Sequence, residues 1–279
     1  MHEIAARSQV LVYEDEGINK QSSEALVAQL RALLDATVSI QKVGSTYLNN
    51  NPWEDKTIAL VVGVGRCTRW ERCLGESGMH NIRNYVLGGG KYIGFCAGAY
   101  FASAESHFSS LQKNRPLAFF TGKAIGPLFD TEHCDFTSPE AARAAKIDFT
   151  FGDKTRSGYM YYQGGCRFEI DQETPDTRIV GTYEDLRPAA VHCKVGMGEA
   201  FLCGLHPEFA WSEEWHQSTL PLAQTLCAQE PFRKQLWKKM GKMLSLPLKK
   251  QKSCIYSLIK KLVNFVKRVF RAITCCCYS

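Results

Sequence analysis

Three short, strongly apolar runs constrain this chain most: Gln9-Val10-Leu11-Val12-Tyr13, Ile58-Ala59-Leu60-Val61-Val62 and Lys91 to Phe95. Runs of that length without polar alternation are expected of strands buried on both faces. Between the first two, Leu26, Leu30, Leu33 and Leu34 fall on one face of a helix over about residues 21–35, and Thr37 to Val43 reads as another strand. A turn-rich Asn49-Asn50-Asn51-Pro52 follows, and a helix over about 78–87 stops at Gly88-Gly89-Gly90. Strand, helix, strand, strand, helix, strand predicts an α/β fold with a parallel sheet and helices on both faces.

The alternation fades over residues 105–175, where Ile147 to Phe151, Tyr159 to Tyr162 and Arg167 to Ile170 read as a β-rich insertion over the sheet edge. It returns as three strands, Arg178 to Tyr183, Ala189 to Val195 and Glu199 to Leu205, the last two joined by a Gly196-Met197-Gly198 hairpin. Trp211 to about Gln229 fits a closing helix. Ligands of such sheets bind beyond the carboxyl ends of the strands, so the residues after 62, 95 and 205 carry the interest.

After the strand 91–95 comes Gly94-Phe95-Cys96-Ala97-Gly98. In a nucleophile elbow the reactive residue sits on a tight strand-to-helix turn, which needs small residues two positions either side. The start of a helix at Ala97 favours a thiolate on Cys96. Alone, the same pattern fits a buried structural cysteine at a crowded junction. After the strand 199–205 comes His206-Pro207-Glu208, an imidazole and a carboxylate leaving one strand end two residues apart. A thiol nucleophile needs a base, and the base needs an acceptor to orient it. Cys96, His206 and Glu208 fit those roles. Gly63-Val64-Gly65 after the strand 58–62, with Ala97, offers backbone N–H groups for an oxyanion, although a G-x-G also fits a plain turn.

The G-x-C-x-G and His-Pro-Glu strand ends together resemble the class I glutamine amidotransferase superfamily, a flavodoxin-like α/β fold with a Cys-His-Glu triad. Tyr92 to Tyr100, Tyr162-Gln163-Gly164-Gly165 and Cys193 to Ala200 running into Leu205-His206-Pro207-Glu208-Phe209 are similar to the N-terminal domain of eukaryotic-type biotin–protein ligases. The resemblance covers about residues 8–229. It implies Cys96 as nucleophile, His206 as base, Glu208 as its orienter, and Gly63, Gly65 and Ala97 around the oxyanion. The expected substrate is a small-molecule amide, with no cofactor. Nothing after residue 230 supplies the ligase domain that biotin transfer needs, so that reaction is not expected. A non-catalytic binding or regulatory module of the same fold is the alternative.

Charge divides the chain. Of its 34 Lys and Arg residues, 13 follow Glu230, the last of the 28 acidic residues. The expectation is therefore an acidic domain over 1–230 and a basic amphipathic tail over 231–279. From Ser253 the tail sorts Ile255, Leu258, Ile259, Leu262, Phe265 and Val266 to one stripe and Lys260, Lys261, Lys267 and Arg268 to another. That C-terminal amphipathic helix suits an anionic membrane surface, contacted through residues 253–277, with a helix docked on the domain as the alternative. Its aromatics lie apart from its charges, so nucleic acid is not an expected partner. Cys276-Cys277-Tyr278-Ser279 fits a prenylation signal, and Cys275, Cys276 and Cys277 are candidate lipidation sites, with an unmodified cluster as the alternative.

The 12 cysteines are irregularly spaced and lack a C-x-x-C, which argues against a zinc site or a disulfide framework. With no secretory signal near Met1, a reducing cytoplasmic location, peripheral on a membrane face, is expected.

Overall fold

The computed structural model describes residues 7–129, 139–170, 175–211 and 221–250. Its main sheet starts from β1 (Gln9–Tyr13), β2 (Ser39–Val43), β3 (Thr57–Val62) and β4 (Lys91–Phe95). These pair in parallel in the order β2-β1-β3-β4, and β13 (Gly198–Cys203) adds in parallel beside β4. That succession is the 2-1-3-4-5 order of flavodoxin-like sheets, and the α/β class read from the sequence is the class observed.

Side chains alternate strictly across these strands. Leu11, Tyr13, Leu60, Val62 and Tyr92 enter the core on one face, beneath α2 (Ser45–Asn50), α3 (Cys67–Leu87) and α4 (Ala97–Ala102). Val10, Val12, Ala59, Val61, Ile93 and Phe95 enter the other, beneath α1 (Lys20–Leu33) and α6 (Glu230–Met243). A fully buried side chain of this size stabilises by roughly 1.5–3 kcal/mol, so both faces must stay covered. The helix α1 starts where Asn19 accepts a hydrogen bond from the Ser22 amide, and it buries Ser22, Leu26 and Leu30.

Several expectations need correction. The sheet is mixed: beyond β13 the strands β12 (Pro188–Val195), β11 (Thr177–Tyr183), β8 (Arg143–Phe151) and β9 (Lys154–Tyr162) pair antiparallel. Short connections join β8 to β9 and β12 to β13, and only antiparallel neighbours can be joined so tightly. Residues 147–151 and 159–162 therefore extend the main sheet. The inserted layer is a separate four-stranded sheet of β5 (Ser103–Phe108), β6 (Leu111–Asn114), β7 (Phe120–Gly126) and β10 (Arg167–Glu169). The helix expected over 78–87 begins at Cys67 and is broken at Gly75. Of the closing helix, α5 (Pro221–Ala228) is described.

The boundary at residue 230 also moves. In α6 the side chains of Leu236, Trp237 and Met240 are buried, and Leu244 and Leu246 continue the same cluster. The Asp35 amide donates to the Pro247 carbonyl at 2.8 Å. The compact unit that begins the chain runs to Leu248. The expected helix and membrane contact over 253–277, and Cys275, Cys276 and Cys277, lie outside the described residues. No helix among the described residues is long and apolar enough to cross a membrane.

Candidate active site

Cys96 stands between the last residue of β4 and the first of α4 with φ 47° and ψ −108°. That left-handed φ is strained for a side-chain-bearing residue, at about 1–3 kcal/mol, and persists only where the surroundings enforce it. They do so here through two glycines. A Cβ on Gly94 would lie 2.5 Å from the Gly98 carbonyl oxygen, and one on Gly98 would lie 2.1 Å from that of Val62. The Cys96 amide donates to the Cys203 carbonyl at 2.9 Å, and Gly98 donates to the Gly63 carbonyl at 3.0 Å, so the turn is tied to β13 and to β3.

His206 follows β13, whose pairing with β4 brings it beside the cysteine. Its backbone amide donates to the Tyr161 carbonyl at 3.0 Å, and its ring packs against Tyr161 and Phe209. Nδ1 lies 3.3 Å from Glu208 Oε1, and Nε2 lies 2.9 Å from the Gln163 carbonyl oxygen. Both partners are acceptors, the arrangement an imidazolium requires. Burial opposes that charge, but the neighbouring Cys96 and Glu208 side chains outweigh it and hold the His206 pKa well above the usual imidazole value.

Glu208 is buried and is held in turn by Ser22, whose hydroxyl donates to Oε1 at 2.9 Å and accepts from the Val64 amide at 3.3 Å. Between the two site residues, the Pro207 carbonyl accepts from Arg233 Nη1 and Trp237 Nε1, each at 2.7 Å. The helix α6, expected to be tail, thus fixes the His-Pro-Glu segment. Ser22, Arg233 and Trp237 were not legible as site residues. Asn19 three residues before Ser22 marks a helix start, but nothing local links Ser22 to Glu208, 186 positions away.

Cys96 and His206 open on a cavity of about 680 Å³. Gly65 and Ala97 line it. Gly63 does not line it: its carbonyl is taken by Gly98, and a Cβ there would meet Ser22 Oγ at 2.7 Å, so its smallness serves packing behind the elbow. Among the described residues no three His, Cys, Asp or Glu side chains converge as a metal site needs.

A family model described as biotin-protein ligase, N terminal, matches residues 8–265. A protein of Chlamydia muridarum, described as uncharacterized, is 34% identical over 212 residues, 72% of this chain and 80% of its own length. The biotin–protein ligase of Schizosaccharomyces pombe is 30% identical over 218 residues, 72% of this chain but 33% of the ligase. A glutamine amidotransferase structure superimposes with a TM-score of 0.52 at 16% identity, over 77% of this chain and 98% of the other. A β-galactosidase of Rahnella sp. R3 gives 0.50 at 12% identity, over 86% of this chain and 32% of the other. At such identities the likeness shows the fold alone. The chain spans about a third of the yeast ligase's length, so that enzyme's reaction is not carried over.

Proposed function

The chain belongs to the biotin–protein ligase N-terminal family, and from that premise we propose that it is a Cys-dependent amidase of small amides, using Cys96, His206 and Glu208. One observation carries this: Cys96 is held in a strained left-handed conformation and lines a cavity together with His206, which is paired with the buried Glu208. Strain of this kind is kept where a side chain must be presented rather than packed.

In the proposed reaction the Cys96 thiolate attacks the amide carbonyl carbon, and the oxyanion forms on the side lined by Gly65 and Ala97. His206 gives its proton to the departing nitrogen as the C–N bond breaks, leaving a thioester on Cys96. His206, now neutral, takes a proton from water, whose oxygen attacks the thioester. The acid product leaves and the thiolate is restored. Glu208, fixed by Ser22, keeps Nδ1 protonated so that Nε2 does the exchange.

The test is alkylation of the native protein by iodoacetamide, with sites read by mass spectrometry. Cys96 is expected to react faster than Cys166 and Cys203, and His206→Ala to slow it by roughly 10²–10⁴-fold, the usual worth of a positioned base. A Cys96 rate equal to that of those core thiols refutes catalysis and leaves a binding module.

The tail is proposed to hold the protein on an anionic, cytosolic membrane face through residues 253–277, supported by the eight Lys and Arg residues, with no acidic one, after Leu248. Because the compact unit runs to Leu248, the deletion that tests this is 249–279. It should release the protein to the soluble fraction, and unchanged association overturns the proposal.

A further inference from the structure

The cavity before Cys96 is one-sided in charge. Among the described residues lining it there is no carboxylate, while Arg66 and Arg115 contribute two guanidinium groups. Besides Cys96 and His206, the reacting pair of the proposed amidase, the other titratable neighbours are neutral, since burial pushes the Cys67 thiol up to about 12 and raises Tyr100 and Tyr161 as well. Arg115 is unusual because it is buried, at 6% exposure. Its Nε donates to Ser106 Oγ at 2.8 Å and its Nη1 to Glu71 Oε1 at 2.6 Å, whereas Nη2 has no acceptor among the described residues. Glu71 also pairs with Lys113, so one carboxylate serves two cations and the cluster keeps an excess of one positive charge. The amino end of α3 faces the same space through Cys67 and Thr68. It has no side-chain cap and no acidic residue in its first turn. The Arg115 guanidinium reaches the cavity with a donor to spare, and its planar fork suits a carboxylate.

We infer that the substrate is an amide carrying a carboxylate and no neighbouring ammonium group, its carboxylate held by Arg115 while its amide reaches Cys96. This rests on the amidase reading. An amino-acid amide such as glutamine would bring an ammonium beside two guanidinium groups, with no carboxylate among the described lining residues to receive it.

The experiment is calorimetric titration of the full chain carrying Cys96→Ser, which cannot turn over, with glutaramate, glutamine and butyramide. Glutaramate should bind about tenfold or more tightly than either of the others, and Arg115→Gln should remove the preference. If Arg115→Gln fails to fold, Arg115→Lys, which keeps the charge but not the fork, should weaken glutaramate alone. Equal affinities for the three amides, tighter glutamine, stronger competition by inorganic phosphate than by glutarate, or no measurable glutaramate binding each overturn the inference. Selective binding without ammonia release by the native chain supports the carboxylate site and refutes the amidase. Ammonia release at equal kcat/KM from all three amides does the reverse.

Discussion

Replacing Trp237 tests whether α6 belongs to the domain and to its site. The indole is 1% exposed, its ring centroid lies 5.2 Å from that of Phe95, and its Nε1 is one of two donors on the Pro207 carbonyl. Trp237→Ala removes a buried aromatic, at about 3–5 kcal/mol. That is a large part of the roughly 5–15 kcal/mol by which a domain is stable. With a urea dependence of about 2–3 kcal/mol per molar, the unfolding midpoint should fall by about 1–2.5 M. Trp237→Phe keeps most of the packing and removes one donor, so it should cost only about 0.5–1.5 kcal/mol, Arg233 still holding the carbonyl. The graded pair separates packing from hydrogen bonding. Iodoacetamide labelling of Cys96 in Trp237→Phe then reads whether His206 has shifted. A Trp237→Ala loss under about 1 kcal/mol, or a chain ending at residue 230 with an unchanged midpoint, refutes the placement of α6 in the core.

Gly98→Ala puts a methyl 2.1 Å from the Val62 carbonyl oxygen, backbone against backbone. It should destabilise by about 1–3 kcal/mol or more and abolish fast labelling of Cys96, and native stability with native labelling would sink the elbow argument. Ser22→Ala leaves the Val64 amide without its acceptor and Glu208 with one bond fewer, so a loss of about 1–3 kcal/mol is expected by denaturant titration, with slower Cys96 labelling than wild type; no change in either measurement rules out Ser22 as a positioning residue. Because the folded state raises the His206 pKa, the stability it contributes is complete below the unfolded value of about 6.5 and declines as pH rises through the raised value. Unfolding free energy measured against pH should therefore fall on the alkaline side in the native protein, and His206→Ala should lack that component; identical slopes would contradict the ion-pair geometry.

Legibility differed between elements for physical reasons. The strands β1, β3 and β4 declare themselves because burial on both faces leaves no room for polar residues, and the elbow because Gly94 and Gly98 are excluded from being anything larger. The antiparallel half is harder: Ala145, Ile147 and Phe149 alternate clearly enough to mark a strand, but not to say which sheet it joins. The helix α6 was hidden by its charge. Net charge averages over a segment, whereas burial is decided by face. In α6 Lys234 and Lys242 are exposed while Leu236, Trp237 and Met240 are inside. The Ser22–Glu208 bond and the fork of Arg115 left no local signature, since each depends on elements that meet only in three dimensions.

The pairing of β4 with β13 has a consequence in time. Cys96 leaves the ribosome well before His206 and Glu208, and the donors on the Pro207 carbonyl follow later still, at Arg233 and Trp237. Long-range parallel pairing is a late event, because the loop between the strands must close first. A nascent or truncated chain thus carries the cysteine without the partners proposed to activate it. On the proposed mechanism, synthesis past α6 would be what arms the thiol, and unfinished chains would be spared a reactive group while their surfaces are still exposed.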